Sequence, residues 1–311
     1  MKNKIIFMGT PDFSAPILKA VHETYGVALV ITQPDKPVGR KRVLTPPPVK
    51  KQAVELGIEV YQPESMRSDE AFEFIQNVQP DLIITAAYGQ ILPKRVLDIP
   101  RLGCINVHAS ILPKYRGGAP IHKAIINGES ESGVTIMYMA EQLDAGNMIA
   151  QEKVEILEND TVGLLHDKLS DCGVKLLIDT LPSIFNGTND SIEQNHDEAT
   201  FASNISRDEE FVDFNRSTED VHNQIRGLSP WPVAYATLDG KNMKFWLSEK
   251  GTATGTPGEI IEVTKDAIVV ATKDASIKLL EIQPAGKKRM KVRDYVAGLQ
   301  YDLKGMKFNA E

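Results

Sequence analysis

Asn106, His108 and Asp144 are the side chains of this 311-residue chain whose types and spacing could carry out acyl transfer. Asn106 and His108 stand two positions apart at the end of an apolar run, Cys104–Val107, within the segment CINVHASILPKYRGGAP. Residues i and i+2 of a β-strand project from one face, so the carboxamide and the imidazole enter a common site. Asp144 lies in the short turn LDAG, just after the next strand candidate, Gly133–Ala140. A carboxylate beside an imidazole fixes its tautomer and its orientation. Asn106 can donate an N–H to a developing oxyanion, as can a protonated His108, while His108 and Asp144 move a proton. Ser110 sits in the same motif but has no dedicated base, so direct transfer to an amine is simpler than a covalent intermediate. A strand that merely ends in two polar residues is the plainer alternative, and Asp144 is what tips the balance.

The elements that must position these groups can be read around them. Beyond the strand the chain turns through Ser110–Pro113, presents Lys114 and Arg116, passes Gly117 and Gly118, and enters a helix at Ala119-Pro120. Polar groups at the carboxyl end of a strand are where open α/β sheets place ligands. Upstream, Lys4–Met8 is a buried-strand candidate, a helix follows over about 13–23, and Val27–Thr32 is a second strand. This is a βαβ opening, yet GTPDFS between its first two elements lacks the glycines of a dinucleotide fingerprint. Gln33–Pro48 holds five prolines and four basic residues against one acid, Asp35, and is expected to be a loop. A helix at Val49–Leu56, a strand near Val60, a helix over about 69–77 and a strand at Leu82–Thr85 complete this half. After Asp144, Met148–Ile156 is a return strand, and Thr161–Phe185 a long helix with its stripe at Val162, Leu165, Leu169, Cys172 and Leu176.

The motif NVHASILPKYRGGAP followed by LDAG resembles the 10-formyltetrahydrofolate-dependent formyltransferases. GTPDFS, QPDKPVGR and SPWP narrow the resemblance to the branch that formylates methionine carried on initiator tRNA. These motifs span residues 9–232, most of the chain. The resemblance implies an α/β, Rossmann-like formyltransferase domain followed by a small OB-like β-barrel domain. It implies 10-formyltetrahydrofolate as co-substrate, lying along Ser110, Ile111, Leu112 and Pro113 and against a wall formed by Gln90, Ile91 and Leu92. It implies initiator methionyl-tRNA as the partner, its acceptor end clasped by the basic loop through Lys36, Arg40, Lys41 and Arg42. Formyltransferases of small amines and formyl-folate hydrolases share Asn106, His108 and Asp144, so those acceptors stay open on the triad alone. The basic loop and the second domain speak for tRNA. A tRNA-binding module without catalysis is the alternative from another class, and the convergent triad argues against it.

Composition sets the outer bounds. An apolar fraction of 42% and a charged fraction of 25% are those of an ordinary globular protein with room for two cores. No apolar run exceeds five residues, and the opening MKNKIIFMGT runs straight into a strand pattern, so a cytoplasmic monomer without a membrane span is expected. Two cysteines in unrelated contexts support neither a disulfide framework nor a metal cluster. The net charge of −7 resides in residues 1–206, whereas residues 207–311 carry 16 basic and 16 acidic residues.

The expected catalytic domain is 1–185, and the polar, aperiodic stretch 186–206 is the expected linker. The second domain, 207–311, opens with a Ser217-capped helix ending near Gly227. Strands follow at Ala234–Leu238 and Lys241–Ser248, joined by Asp239-Gly240, a hairpin signal. Further strands are expected at Gly258–Val263, Ala267–Thr272 and Ser276–Ile282, enough for a small barrel. Directly after them KKRMKVR brings Lys287, Lys288 and Arg289, a candidate set of phosphate contacts on the barrel.

Overall fold

Apolar runs without alternation, such as IIFM and LII, form strands covered on both faces, and they lie at the centre of the first sheet. In the computed structural model, which describes residues 3–39 and 41–310, the chain begins with β1 (Ile5–Gly9), α1 (Ala15–Tyr25) and β2 (Leu29–Ile31). Next come β3 (Lys36–Val38), β4 (Val43–Thr45), α2 (Pro48–Glu55), β5 (Val60–Tyr61), α3 (Asp69–Val78) and β6 (Leu82–Ala86). Then follow α4 (Lys94–Leu97), β7 (Cys104–His108), α5 (Pro120–Ile126), β8 (Glu131–Tyr138), β9 (Met148–Glu155) and α6 (Val162–Asn186). Two compact units result. The first comprises the described residues up to Pro120 together with Ser132–Glu155 and His166–Ala202.

Its seven-stranded sheet has the order β5-β2-β1-β6-β7-β8-β9. The pairs from β5 to β7 are parallel, so the order reverses between β1 and β6, as in doubly wound folds. Two short hydrogen bonds tie the turns at that reversal. Thr10 Oγ1 donates to the Tyr88 carbonyl at 2.8 Å, and Ser14 Oγ to the Ala86 carbonyl at 2.5 Å. Beyond β7 the direction changes: β8 is antiparallel, with Asn106 opposite Met137 and His108 opposite Thr135. The loop carrying Asp144 therefore leaves β8 beside Ile105 and folds back toward His108, a route that the two-strand-end picture from sequence does not contain.

Other departures have physical causes. The segment 33–48 is not all loop, since β3 and β4 form a two-stranded antiparallel ribbon with Pro37 opposite Leu44. Proline cannot donate to a ladder, and a ribbon with a free edge tolerates it. The buried stripe of α6 follows Val162, Leu165 and Leu169 as expected, then continues through Gly173, Leu177 and Leu181. Steps of four replace the expected Cys172 and Leu176, which are only partly buried. Among the described residues, no helix is long and apolar enough to cross a membrane.

The second unit comprises residues Ile121–Glu131, Ile156–Leu165 and the described residues from Ser203 onward. It contains α7 (Thr218–Gly227), capped by the Ser217 hydroxyl accepting from the Asp220 N–H at 3.1 Å. The strands are β10 (Tyr235–Leu238), β11 (Lys241–Gly251), β12 (Ile260–Val263), β13 (Ile268–Ala271), β14 (Ser276–Pro284) and β15 (Met290–Lys291), with α8 (Val292–Ala297) behind them. They form one antiparallel curled sheet, β10-β11-β14-β13-β12, with β15 added to β14. Positive φ at Asp239 (50°) and Gly240 (67°) builds the predicted hairpin turn between β10 and β11. The final residues draw the sheet's two edges together, Phe308 bridging to Leu238 and Lys307 to Glu259. Phe308 is buried with Phe214 and Phe245, ring centroids 5.5–6.2 Å apart. The expected small barrel is thus a half-barrel closed by its own tail. Within the basic run, Met290–Lys291 form β15 and Val292 begins α8.

Candidate active site

β7 exposes alternate residues to opposite layers. Ile105 and Val107 are buried on one side, and Asn106 and His108 face the other. His108 is 6% exposed, and its Nε2 lies 3.0 Å from the Tyr115 carbonyl. A carbonyl can only accept, so Nε2 carries a hydrogen. Nδ1 faces Asp144, whose Oδ2 is 3.7 Å away. The same Oδ2 accepts the Gly117 backbone N–H at 2.8 Å, which fixes the carboxylate from its other side. Asp144 itself adopts φ 48°, a backbone conformation that Asp tolerates better than most residues.

Asn106 is held by a residue that the sequence alone does not single out. Thr85 on β6 pairs with Asn106 across the parallel ladder, and its Oγ1 lies 2.7 Å from Asn106 Oδ1. The same hydroxyl is 3.1 Å from the Ile105 carbonyl. A hydroxyl has one hydrogen, and the shorter approach assigns it to the carboxamide oxygen. With its oxygen held by Thr85, the carboxamide has its NH₂ as the group that can serve as an oxyanion donor. Thr85→Val keeps the shape and removes the anchor. Turnover is expected to fall about three- to tenfold, the size of one neutral hydrogen bond, with the melting temperature little changed. Steady-state kinetics check this, and parental turnover would mean that something else orients Asn106.

The remaining residues expected from sequence divide into those facing outward and those built into the scaffold. Ser110 is 1% exposed and donates its hydroxyl to the Lys114 carbonyl at 2.7 Å, so it is no nucleophile. Leu112 is buried, and its carbonyl accepts from Gln151 Nε2 at 2.9 Å. Ile111 packs against Gly133, and Pro113 gives its carbonyl to the Thr200 N–H at 3.3 Å. Gln90 turns inward, its Oε1 accepting the Met66 N–H at 2.8 Å. Leu92 belongs to the core, whereas Ile91 is 62% exposed. Cys104, two residues before Asn106, is inert: burial pushes its thiol up to about 12. No group of three or more His, Cys, Asp or Glu among the described residues could hold a metal ion.

The basic residues fall in two separate places. Lys36, Lys41 and Arg42 are exposed on the β3–β4 ribbon, as are the apolar side chains of Val38, Val43 and Leu44. Arg40 lies outside the described residues. In the second unit Lys287 and Lys288 are exposed. Arg289 is exposed too, yet its Nε donates to Glu281 Oε2 at 2.7 Å and its guanidinium lies over the Trp246 ring at 4.6 Å.

Residues 186–206 do more than connect. Thr200 and Ala202 exchange backbone hydrogen bonds with Arg116 and Ala119, and Ile192 bridges to Met148. Gln194 is 2% exposed and reaches both Arg116 and the Asp144 loop. Nothing in the composition of this polar stretch marks Gln194, because its partners are about 50 and 80 residues away in sequence.

Known proteins resemble this chain along its length. The formyl transferase family model matches residues 2–181, and the formyl transferase C-terminal domain model matches residues 204–300. The methionyl-tRNA formyltransferase of Macrococcus caseolyticus is 68% identical over 307 residues, covering 99% of both chains. That of Staphylococcus aureus strain MW2 is 55% identical, covering 98% of this chain and 99% of the relative. Among solved structures, the sugar 3N-formyl transferase WlaRD, determined in the presence of dTDP and 5-N-formyl-THF, shares the fold with a TM-score of 0.66 at 19% identity. That likeness covers 93% of this chain and 100% of the other. HypX from Aquifex aeolicus, in complex with tetrahydrofolic acid, gives 0.65 at 17% identity, over 96% of this chain and 47% of that one.

Proposed function

Because the chain belongs to the formyl transferase family, we propose that it moves a formyl group from 10-formyltetrahydrofolate to the α-amino group of methionine on initiator methionyl-tRNA. The product, N-formylmethionyl-tRNA, serves translation initiation in the cytoplasm. The observation that supports this chemistry is that Asn106 and His108 alternate onto one face of β7 and that Asp144 Oδ2 stands 3.7 Å from His108 Nδ1. The choice of acceptor is supported by full-length identity of 55–68% to proteins that bear that name.

The methionine amine forms a bond to the formyl carbon, the bond from that carbon to the folate nitrogen breaks, and that nitrogen leaves with the proton that His108 takes from the amine and passes on. Asn106 donates its N–H to the formyl oxygen as negative charge develops there, an interaction typically worth about 2.7–4 kcal/mol in the transition state. His108 accepts the amine's proton at Nδ1, since Nε2 is already committed to the Tyr115 carbonyl. Asp144, facing Nδ1, stabilises the imidazolium that results. Ile91, 62% exposed after β6, and Leu143, 57% exposed before Asp144, offer apolar surface to a flat pteridine ring. Gln90 and Leu92 act as scaffold for that wall, and Ser110–Pro113 form the opposite turn. Lys36, Lys41 and Arg42 meet tRNA phosphates from the ribbon, and Arg40, next to them in sequence, shares that role.

Incubation with methionyl-tRNA and formyl-labelled folate is expected to place the label on the aminoacyl ester. Label released as formate would instead mean that water is the acceptor, and label on a small amine alone would move the function to a small-molecule substrate.

On the second unit the phosphate-binding role is assigned to Lys287 and Lys288, with Arg289 secondary because Glu281 already holds it. Replacing both lysines by alanine should lower the slope of log affinity for tRNA against log salt by about 1–2, roughly one for each phosphate that is no longer neutralised. Turnover at saturating tRNA should be unaffected. Salt titrations of binding check this, and matching slopes for variant and parent would remove the half-barrel from the phosphate-binding surface.

A further inference from the structure

We propose that Gln194 and Arg116 are positioning residues that hold Asp144 in its reactive place. The proposal rests on the reading above, in which Asp144 faces the base His108.

Gln194 uses both ends of its carboxamide. Its Oε1 accepts from Arg116 Nε at 3.1 Å and from Arg116 Nη2 at 2.6 Å. Its Nε2 donates to the Asp144 carbonyl and to the Gly146 carbonyl, both at 2.8 Å. Both side chains are buried, Gln194 to 2% and Arg116 to 5% exposure. The Arg116 guanidinium extends further to His196 Nδ1 at 3.1 Å, and its backbone is paired with Thr200 and Ala202. Gly117, the residue after Arg116, gives its N–H to Asp144 Oδ2.

These bonds close a ring. The Asp144 carboxylate is held by Gly117, Gly117 is joined to Arg116, Arg116 is held by Gln194, and Gln194 holds the Asp144 backbone. The ring fixes Asp144 at both its carbonyl and its carboxylate, in a turn where φ is 48°. Without Gln194 the turn keeps its side-chain bond to Gly117 but loses both donors that fix its backbone. The 3.7 Å approach of Oδ2 to Nδ1 is then no longer set. A distal brace of this kind acts on turnover, because it changes where the charge stands and not whether substrates bind.

The test uses the full chain with methionyl-tRNA and 10-formyltetrahydrofolate. Gln194→Met keeps the length and removes all four hydrogen bonds. Gln194→Glu keeps an acceptor for Arg116 and gains an ion pair with its guanidinium that supports the fold, while its other oxygen repels the Asp144 and Gly146 carbonyls that Nε2 held. Each is expected to lower kcat at least tenfold, with KM for both substrates within twofold. In an Asp144→Asn background neither should lower kcat further. Parental kcat in a folded Gln194→Glu protein overturns the proposal. So does an undiminished further loss in the Asp144→Asn background, which would show that Gln194 acts on something other than Asp144. Parental kcat for Asp144→Asn alone would instead overturn the catalytic reading, whatever Gln194 does.

Discussion

Asp144→Asn, Asn106→Ala and His108→Ala should each lower turnover about a hundredfold or more, while substrate affinity changes little. The size is that of a lost oxyanion donor or proton-transfer group. The structure makes the expectation sharper than a generic active-site substitution. Asparagine at 144 keeps the shape and still accepts the Gly117 N–H, so only the charge facing His108 Nδ1 disappears. Alanine at 106 frees the Thr85 hydroxyl, which has the Ile105 carbonyl 3.1 Å away as a ready acceptor. No buried polar group is then orphaned, and the fold should persist. Alanine at 108 removes the hydrogen bond to the Tyr115 carbonyl and opens a small cavity, so its melting temperature should fall most of the three. Single-turnover transfer with both substrates saturating checks all of this. Near-parental rates for any one variant would remove that residue from the chemistry.

What could be read from the sequence was local, and what could not was pairing at a distance. Asn106 and His108 share a face because the strand period is two, and a short run of sequence carries that. The hairpin at Asp239-Gly240 and the cap at Ser217 are equally local. Asp144 is visible as a motif, but its approach is not, since an antiparallel β8 cannot be told from a parallel one by its own residues. Thr85 interrupts an apolar run and gives no sign that Asn106 lies beside it. Prolines in the segment 33–48 read as loop because a central strand excludes them, and the two-stranded ribbon escapes that rule. In the sequence Gln194 is one polar residue among many. Its significance comes from burial, and burial is set by the packing of segments far apart in the chain. The candidate site was thus legible in Asn106, His108 and Asp144 and silent in Thr85 and Gln194, which hold two of them.

Gly146→Ala should abolish most activity and also destabilise the first unit, although the residue touches no substrate in the proposed reaction. Gly146 ends the LDAG turn, buried beneath the return of the chain toward β9. A Cβ there would penetrate the Tyr138 carbonyl oxygen and stand 2.9 Å from the carbonyl carbon. Backbone cannot rotate away as a side chain can, so the loop from 139 to 147 must shift. At its base the Tyr138 N–H donates to the Asn147 carbonyl at 2.9 Å, and that closure leaves little slack. The shift would pull the Gly146 and Asp144 carbonyls from Gln194 and move the carboxylate relative to His108. Overpacking of this kind typically costs about 1–3 kcal/mol. An activity loss of at least the size seen for Asp144→Asn is expected with it. Gly187→Ala is the matching control: φ is +67°, yet nothing lies within 4 Å of the added carbon. It should lose about 1 kcal/mol to backbone strain and keep its turnover. Thermal melts and initial rates of the two variants separate the effects. A Gly146→Ala protein with parental turnover would show that the loop can yield without moving Asp144, and the geometry assigned to the carboxylate would then have no bearing on the rate.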